Sequence, residues 1–299
     1  MQDTPPVLGF VGLGVMGGPM CCNVARKHAA PVHAFDLDAA AVSDVERAGA
    51  LAAGSVAAVA RAADIVFLSL PGGKQVRDVC LGEGGLASAG KPGLLIVDLS
   101  TTAVADAREV AGALAERGLL FADAPVARTR QAAQDGTLSI MVGASDAVFA
   151  RIAPLLAYMG SDVTHCGDVG CGQVVKLINN TLVFEHVAAL AEMMVVAERA
   201  GVAPQTLLAA VAKGSGDSFV LRNHGMKAMV PRSFPEKAFP STYVLKDLGY
   251  AIELVESQGV EPRLPRLVES YYRAAIAQGL GEKYFPAIVE VIDRAPRES

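Results

Sequence analysis

"VLGFVGLGVMGGPM", residues 7–20, decides the fold of this 299-residue chain. An apolar run, 7–11, meets glycines at 12, 14 and 17, so the stretch reads as strand, tight turn and helix. Gly12 permits the turn, Gly14 lets backbone approach a pyrophosphate, and Gly17 lets the helix pack close to the strand. The helix start also offers unpaired N–H groups and a positive dipole end to phosphate. No Lys-Ser/Thr follows the glycines, so this is not a mononucleotide P-loop. Asp36 ends the next apolar run, nineteen residues beyond Gly17. A carboxylate there accepts the ribose hydroxyls of an adenosine and repels a 2′-phosphate. A methyltransferase can also combine a glycine loop with an acidic strand end, so the fingerprint alone leaves both readings open.

Outward from this unit the alternation continues. Strand-like runs lie at 32–35, 65–70, 94–99, 119–122, 138–142 and 163–166, with alanine-rich helical segments such as 102–117 and 146–159 between them. Continuous apolar strands separated by helices predict a parallel sheet covered on both faces. After Gly172 the pattern changes. Residues 173–200 form one unbroken helical stretch, apolar on nearly every face. Further helices are predicted at 204–212, 242–258, 263–278 and 286–294, with "PRSFPEKAFPS", 231–241, as the clearest loop. The expected fold is α/β: an N-terminal Rossmann-type doubly wound sheet over 1–168 that binds NAD. An all-α domain for substrate and oligomerisation, 169–299, follows and is joined by a long interdomain helix.

Composition narrows the function. The chain is 52% hydrophobic and 19% charged, without tryptophan, so its core is aliphatic. A net charge of −5 argues against nucleic acid or an anionic membrane as partner. Five cysteines at irregular spacing read as buried hydrophobes in a reducing compartment. His165, Cys166 and Cys171 lack the spacing of a zinc site, so no metal is expected. "MQDTPP" has no basic-then-apolar leader, and no apolar run reaches about 18 residues without a polar break. The expectation is a cytoplasmic protein.

"GDVGCGQVVKLINN", 167–180, opens the long helix, with Lys176 and Asn180 four apart on one face. A lysine in an apolar turn either snorkels to solvent or is buried for a purpose. General acid–base work is such a purpose, since burial beside a second cation brings an amine toward neutrality.

Four blocks together resemble the β-hydroxyacid dehydrogenases, the group of 3-hydroxyisobutyrate dehydrogenase and tartronate semialdehyde reductase. They are "GFVGLGVMGGPMCCN" at 9–23, "DAPV" with "GTL" within 123–138, "GCGQVVKLINN" at 170–180 and "LKDLGYA" at 245–251. The resemblance implies Lys176 as catalytic lysine, Asn180 as its partner in orienting substrate, and Lys246 near nicotinamide and substrate. It implies cofactor contacts at Gly12, Leu13, Gly14, Val15, Met16 and Gly17, and at Leu70, Pro71, Gln75 and Thr101; Gln75 replaces a usual asparagine. Asp36 resembles NAD-preferring members, since NADP-preferring ones more often carry an Asn-Arg pair there. The implied protein is an enzyme acting on a small hydroxy acid or semialdehyde; the long apolar helix, for its part, suggests a homodimer or homotetramer, with a monomer that uses the helix between its domains as the alternative.

Family members usually have Ser-Gly-Gly after "DAPV", where hydroxyl and backbone amides hold the substrate carboxylate. Here Ala127, Arg128 and Thr129 stand instead, which resembles the Gly-Arg-Thr of sulfolactaldehyde reductases. A guanidinium binds a carboxylate or sulfonate through two parallel hydrogen bonds. Arg128 is therefore expected to contact a sulfonated or dicarboxylic substrate, unless it faces solvent and only backbone binds the anion. Arg130 reads as helix surface. Lys176 argues against two rivals, a non-catalytic dinucleotide-binding protein and an imine reductase.

Overall fold

The computed structural model of the chain describes residues 4–236 and 238–294. Residues 1–3 of the N-terminal reading, Lys237 of the 231–241 loop and the last five positions of the C-terminal domain lie outside the described residues.

The first half alternates as its pattern requires. β1 (Leu8–Val11), α1 (Gly17–Lys27), β2 (Val32–Phe35), α2 (Ala39–Glu46), β3 (Leu51–Ala52) and α3 (Val56–Ala62) come first. Next are β4 (Ile65–Leu68), α4 (Gly73–Leu81), α5 (Leu86–Ala89), β5 (Leu95–Asp98), α6 (Val104–Ala115) and β6 (Leu120–Asp123). β7 (Val126–Ala127), α7 (Arg130–Asp135), β8 (Leu138–Gly143), α8 (Asp146–Leu156) and β9 (Gly160–Gly167) complete the sheet. Several helices start at side-chain caps: Asp38, Ser55 and Ser145 accept the amides of Ala40, Ala58 and Val148. Each satisfies a donor that a first turn leaves unpaired.

The strand order is β3-β2-β1-β4-β5-β6-β8-β7, with β9 beside β8. From β3 to β6 every pair is parallel. The order reverses between β1 and β4, where Val11 lies opposite Leu68. Ligands of open α/β sheets bind at such a reversal, beyond the strands' carboxyl ends. Side chains alternate between two cores. Leu8, Phe10, Ile65, Phe67, Leu95 and Val97 join Met20 and Ile152 on one face. Val11, Val66, Leu68 and Ile96 join Val59, Val110 and Leu114 on the other. A strand buried on both faces is an unbroken apolar run, and this is why the strands were visible in the sequence.

The sheet is mixed, not wholly parallel, because β8 runs antiparallel to β6 and β7. Between β7 and β8 there is room only for the six-residue α7. A parallel crossover needs about a dozen residues or more. β3 and β7, two residues each, are too short to leave a hydrophobic signature.

Helices follow: α9 (Cys171–Arg199), α10 (Pro204–Val211), a π-helix (Leu221–Met229), α11 (Ser241–Ser257), α12 (Arg263–Ala277), a 3₁₀ turn (Phe285–Ala287) and α13 (Ile288–Arg294). The chain divides into two compact units after Lys176, inside α9, so the helix contributes to both. α9 is long enough, and over an 18-residue window of mean hydropathy 1.3 apolar enough, to cross a bilayer, but 44% of that window is buried within the protein. Phe184, Val187, Ala191 and Met194 pack in the core of the second unit, which is how a core helix behaves. Among the described residues the second unit holds two fully buried hydroxyls without a hydrogen-bond partner, those of Ser241 and Tyr272. An unsatisfied buried hydroxyl costs about 1–3 kcal/mol. Tyr272→Phe is expected to hold or raise the melting temperature, and calorimetry showing a clear fall would reveal a partner for that hydroxyl.

Candidate active site

The glycine fingerprint forms a tight turn closely packed against the start of α1. Gly12 has φ +93°, and a Cβ there would lie 2.2 Å from the Ser69 carbonyl oxygen. A Cβ at Gly17 would lie 2.1 Å from the Gly12 carbonyl oxygen, so helix and turn touch through backbone. At Gly14 a Cβ meets nothing within 4 Å, which leaves open space above the first turn of α1. Asp36 Oδ2 accepts the Leu13 amide at 2.6 Å, and Oδ1 accepts the Asp38 amide at 2.8 Å. Each oxygen keeps acceptor capacity for a ribose hydroxyl. Leu37 beside it is 94% exposed and offers no cation to a 2′-phosphate. These residues fit an adenosine dinucleotide. A groove beside the fingerprint is lined by Leu13, Gly14, Val15 and Gly18 and also by Arg26 and Arg130. Arg130, read from sequence as plain helix surface, thus faces the fingerprint.

Ser100 joins the strand ends. Its hydroxyl accepts the Leu70 amide at 2.9 Å, and its own amide donates to Asp98 Oδ1 at 2.9 Å. Thr101 is half-buried beside it, whereas Pro71 and Gln75 are exposed. Gln173 then grips the same turn: Nε2 donates to the Ser100 carbonyl at 2.8 Å, and Oε1 accepts the Thr102 amide at 3.1 Å.

The start of α9 is held by Asp123, the acid of "DAPV". Oδ1 accepts the Gly170 amide at 2.6 Å, and Oδ2 accepts the Gln173 amide at 2.8 Å. A Cβ at Gly172 would lie 2.8 Å from Oδ2, so only glycine admits the carboxylate. Burial pushes the Asp123 carboxyl up to about 6, while the amides pull the other way. The helix therefore begins at Cys171, two residues before the sequence reading placed it.

Gln173, Lys176 and Asn180 are all buried, at i, i+3 and i+7 on one face of α9. Asn180 Nδ2 donates to Asp247 Oδ2 at 2.7 Å. Lys246 Nζ ion-pairs with the other oxygen of Asp247 at 2.9 Å and lies 5.1 Å from the Tyr250 ring centroid. Asp247 was missed although it sits in the "LKDLGYA" block. At 3% exposure it orients both Asn180 and Lys246. Its signal was an acid next to a lysine of a quoted block, which in sequence looks like a helix-surface pair.

In the 127–129 turn the guanidinium of Arg128, expected from the sequence to reach for substrate, is held by protein groups. Nη1 donates to the Thr137 carbonyl at 2.5 Å and to Ser161 Oγ at 3.0 Å, and Nη2 pairs with Asp162 at 2.7 Å. The backbone explains why: φ is +86°, a left-handed conformation costly for any residue but glycine. Fixing the side chain on β9 helps hold that geometry. Thr129 caps α7 through the Ala132 amide, and Ala127 is buried. Among the described residues no group of three or more His, Cys, Asp or Glu side chains is placed to hold a metal ion.

Comparison with known proteins agrees with this geometry. Residues 7–167 match the family described as the NAD-binding domain of 6-phosphogluconate dehydrogenase. Residues 170–292 match the family described as NAD-binding of NADP-dependent 3-hydroxyisobutyrate dehydrogenase. The 2-(hydroxymethyl)glutarate dehydrogenase of Eubacterium barkeri is 38% identical, covering 95% of this chain and 94% of its own. The NAD-dependent L-serine dehydrogenase of Pseudomonas aeruginosa is 32% identical over 96% of this chain and 97% of its own. A solved 3-hydroxyisobutyrate dehydrogenase of Mycobacterium tuberculosis with L-serine superposes with a TM-score of 0.88 at 30% identity, covering 98% and 100% of the two chains. The chain belongs to the β-hydroxyacid dehydrogenase family and is an oxidoreductase with an NAD(P)-binding domain.

Proposed function

We propose that this enzyme interconverts a small 3-hydroxy acid and its semialdehyde with NAD, in the manner of 3-hydroxyisobutyrate dehydrogenase. The observation that carries the reading is the buried face of α9, on which Lys176 and Asn180 lie one turn apart. Gly12, Leu13, Gly14, Val15, Met16 and Gly17 would hold the dinucleotide with Leu70, Pro71, Gln75 and Thr101, Asp36 taking the ribose. The nicotinamide so bound supplies the hydride chemistry. In oxidation the unprotonated Lys176 amine takes the substrate's hydroxyl proton, and in reduction the ammonium returns it to the aldehyde oxygen. Asn180, aimed by Asp247, hydrogen-bonds the substrate, and Lys246 adds positive charge beside it. Backbone amides of 127–129 take the acid group. Exposed Val175, Ile178, Leu182, Met193 and Val196 on α9 support a homo-oligomer.

A second reading, a substrate with two acid groups, is supported by the 2-(hydroxymethyl)glutarate dehydrogenase relative and by the loss of Ser-Gly-Gly at 127–129. Here Arg128 would exchange Asp162 for the second acid.

Three outcomes test these assignments. Lys176→Ala should lower kcat by about 10²–10⁴-fold, the usual contribution of a general acid–base, while dinucleotide binding persists. Asp36 should make kcat/KM higher with NAD than with NADP, and equal use of both would remove Asp36 from that role. Arg128→Gly keeps the left-handed backbone but removes the guanidinium, so it is a cleaner variant than alanine. If Arg128 takes a second acid, KM for a dicarboxylic substrate should rise about 10- to 150-fold over that for a monocarboxylate. An unchanged ratio assigns the arginine to the fold.

A further inference from the structure

Gln173 has no role in the reaction just described, yet its side-chain amide is hydrogen-bonded at both ends. It is fully buried, and an apolar residue of the same length would fill the space without desolvating an amide. Both ends of that amide are used on backbone of one turn, the Ser100 carbonyl at 2.8 Å and the Thr102 amide at 3.1 Å. Its own amide is held by Asp123 at 2.8 Å, and Ser100 in turn holds Leu70 at 2.9 Å. The first turn of α9 is thereby tied to the carboxyl ends of β4, β5 and β6. Lys176 follows Gln173 by three residues on the same face.

We propose that Gln173 is a positioning residue: it locks the 100–102 turn and the first turn of α9 into one piece, which fixes where the Lys176 amine meets the reacting oxygen. This rests on the acid–base reading of Lys176. An amine on a four-carbon stem is an effective base only when its helix is fixed against the groups that hold the other reactant. A general base must come within about 2.6–3.2 Å of the proton it takes. An error of about 1 Å costs on the order of 10²-fold in rate. The turn that Gln173 grips includes Thr101 and anchors Leu70, both assigned above to the cofactor, so slack in this clamp would act on reactant geometry before it acted on cofactor binding.

The test is a double-mutant cycle in the full-length enzyme. Gln173→Met and Lys176→Ala are made singly and together, and assayed with NAD and whichever of 3-hydroxyisobutyrate, L-serine and 2-(hydroxymethyl)glutarate turns over fastest. Dissociation constants for NADH come from fluorescence titration, and amide hydrogen exchange reports on Thr102. Gln173→Met should lower kcat by about 10- to 100-fold with the NADH constant within about threefold of wild type. The Thr102 amide should exchange faster. In the Lys176→Ala background the same substitution should cost less than about threefold, because the group it positions is gone. Equal losses in both backgrounds, or wild-type kcat in Gln173→Met beside a crippled Lys176→Ala, would overturn this proposal alone. Near-normal turnover in Lys176→Ala would overturn the acid–base reading and the proposal with it. If Gln173→Met fails to fold, Gln173→Glu keeps the acceptor for Thr102, loses the donor to Ser100, and is read by the same criteria.

Discussion

The carboxylate of Asp123 is the constraint on which the site depends. It ends β6, is fully buried, and accepts amides of Gly170 and Gln173 at the start of α9. Two requirements meet there: a helix must satisfy its first amide donors, and a buried carboxylate must find donors. Each answers the other, and the positive end of the helix dipole adds to the match. The cost is visible in the carboxyl, which burial raises to about 6 from 3.8. Between those values the folded chain holds a proton that the unfolded chain has released. The share of stability due to Asp123 therefore falls as pH rises through that window. Above it the ionised cap is the stronger acceptor, so the anchoring of α9 is tightest where its desolvation cost is largest.

A second constraint is the left-handed backbone at Arg128. A strained non-glycine residue persists only where its surroundings over-determine it. Thr137, Ser161 and Asp162 do so here, holding the side chain on the neighbouring strands. An exposed ion pair of this kind contributes about 0–1 kcal/mol, so it offsets only part of a left-handed strain of about 1–2 kcal/mol. Arginine is thus tolerated where glycine would be easiest, and its guanidinium is kept next to the turn that is assigned to the substrate's acid. The arginine visible in sequence was read for its charge alone. The backbone angle gives it a structural task as well.

What was legible in the sequence follows from which signals are local. The fingerprint, the doubly buried strands and the long apolar helix are local patterns, and each element formed within a few residues of its expected place. The spacing of Lys176 and Asn180 was likewise local, being a property of one helix. Signals that required tertiary pairing were not legible. β8 reverses because α7 is short, and nothing within "LSIMVG" records its direction. The π-helix at Leu221–Met229 has no periodicity that distinguishes it from an ordinary helix. Asp123 and Gln173 stood inside quoted motifs, but their partners are 47 to 73 residues away, beyond the reach of any spacing argument.

The buried polar stripe on α9 shows how the chain orients polar side chains on a buried helix face. Gln173 and Lys176 fall in the first unit and Asn180 in the second, with no break in the helix between them. A polar group at these depths needs a partner that also sets its direction, because an amide turned the wrong way presents a donor where an acceptor is needed. Each unit supplies one buried acid for this purpose. Asp123 fixes the first turn, and Asp247 takes the Nδ2 donor of Asn180 while pairing with Lys246. With Nδ2 committed, the Asn180 amide has a defined orientation, and Oδ1 already accepts Asn179 at 3.2 Å. Neither acid has to exchange a proton with substrate to matter. Their work is to leave the first turn of α9 and the Asn180 amide with one arrangement each.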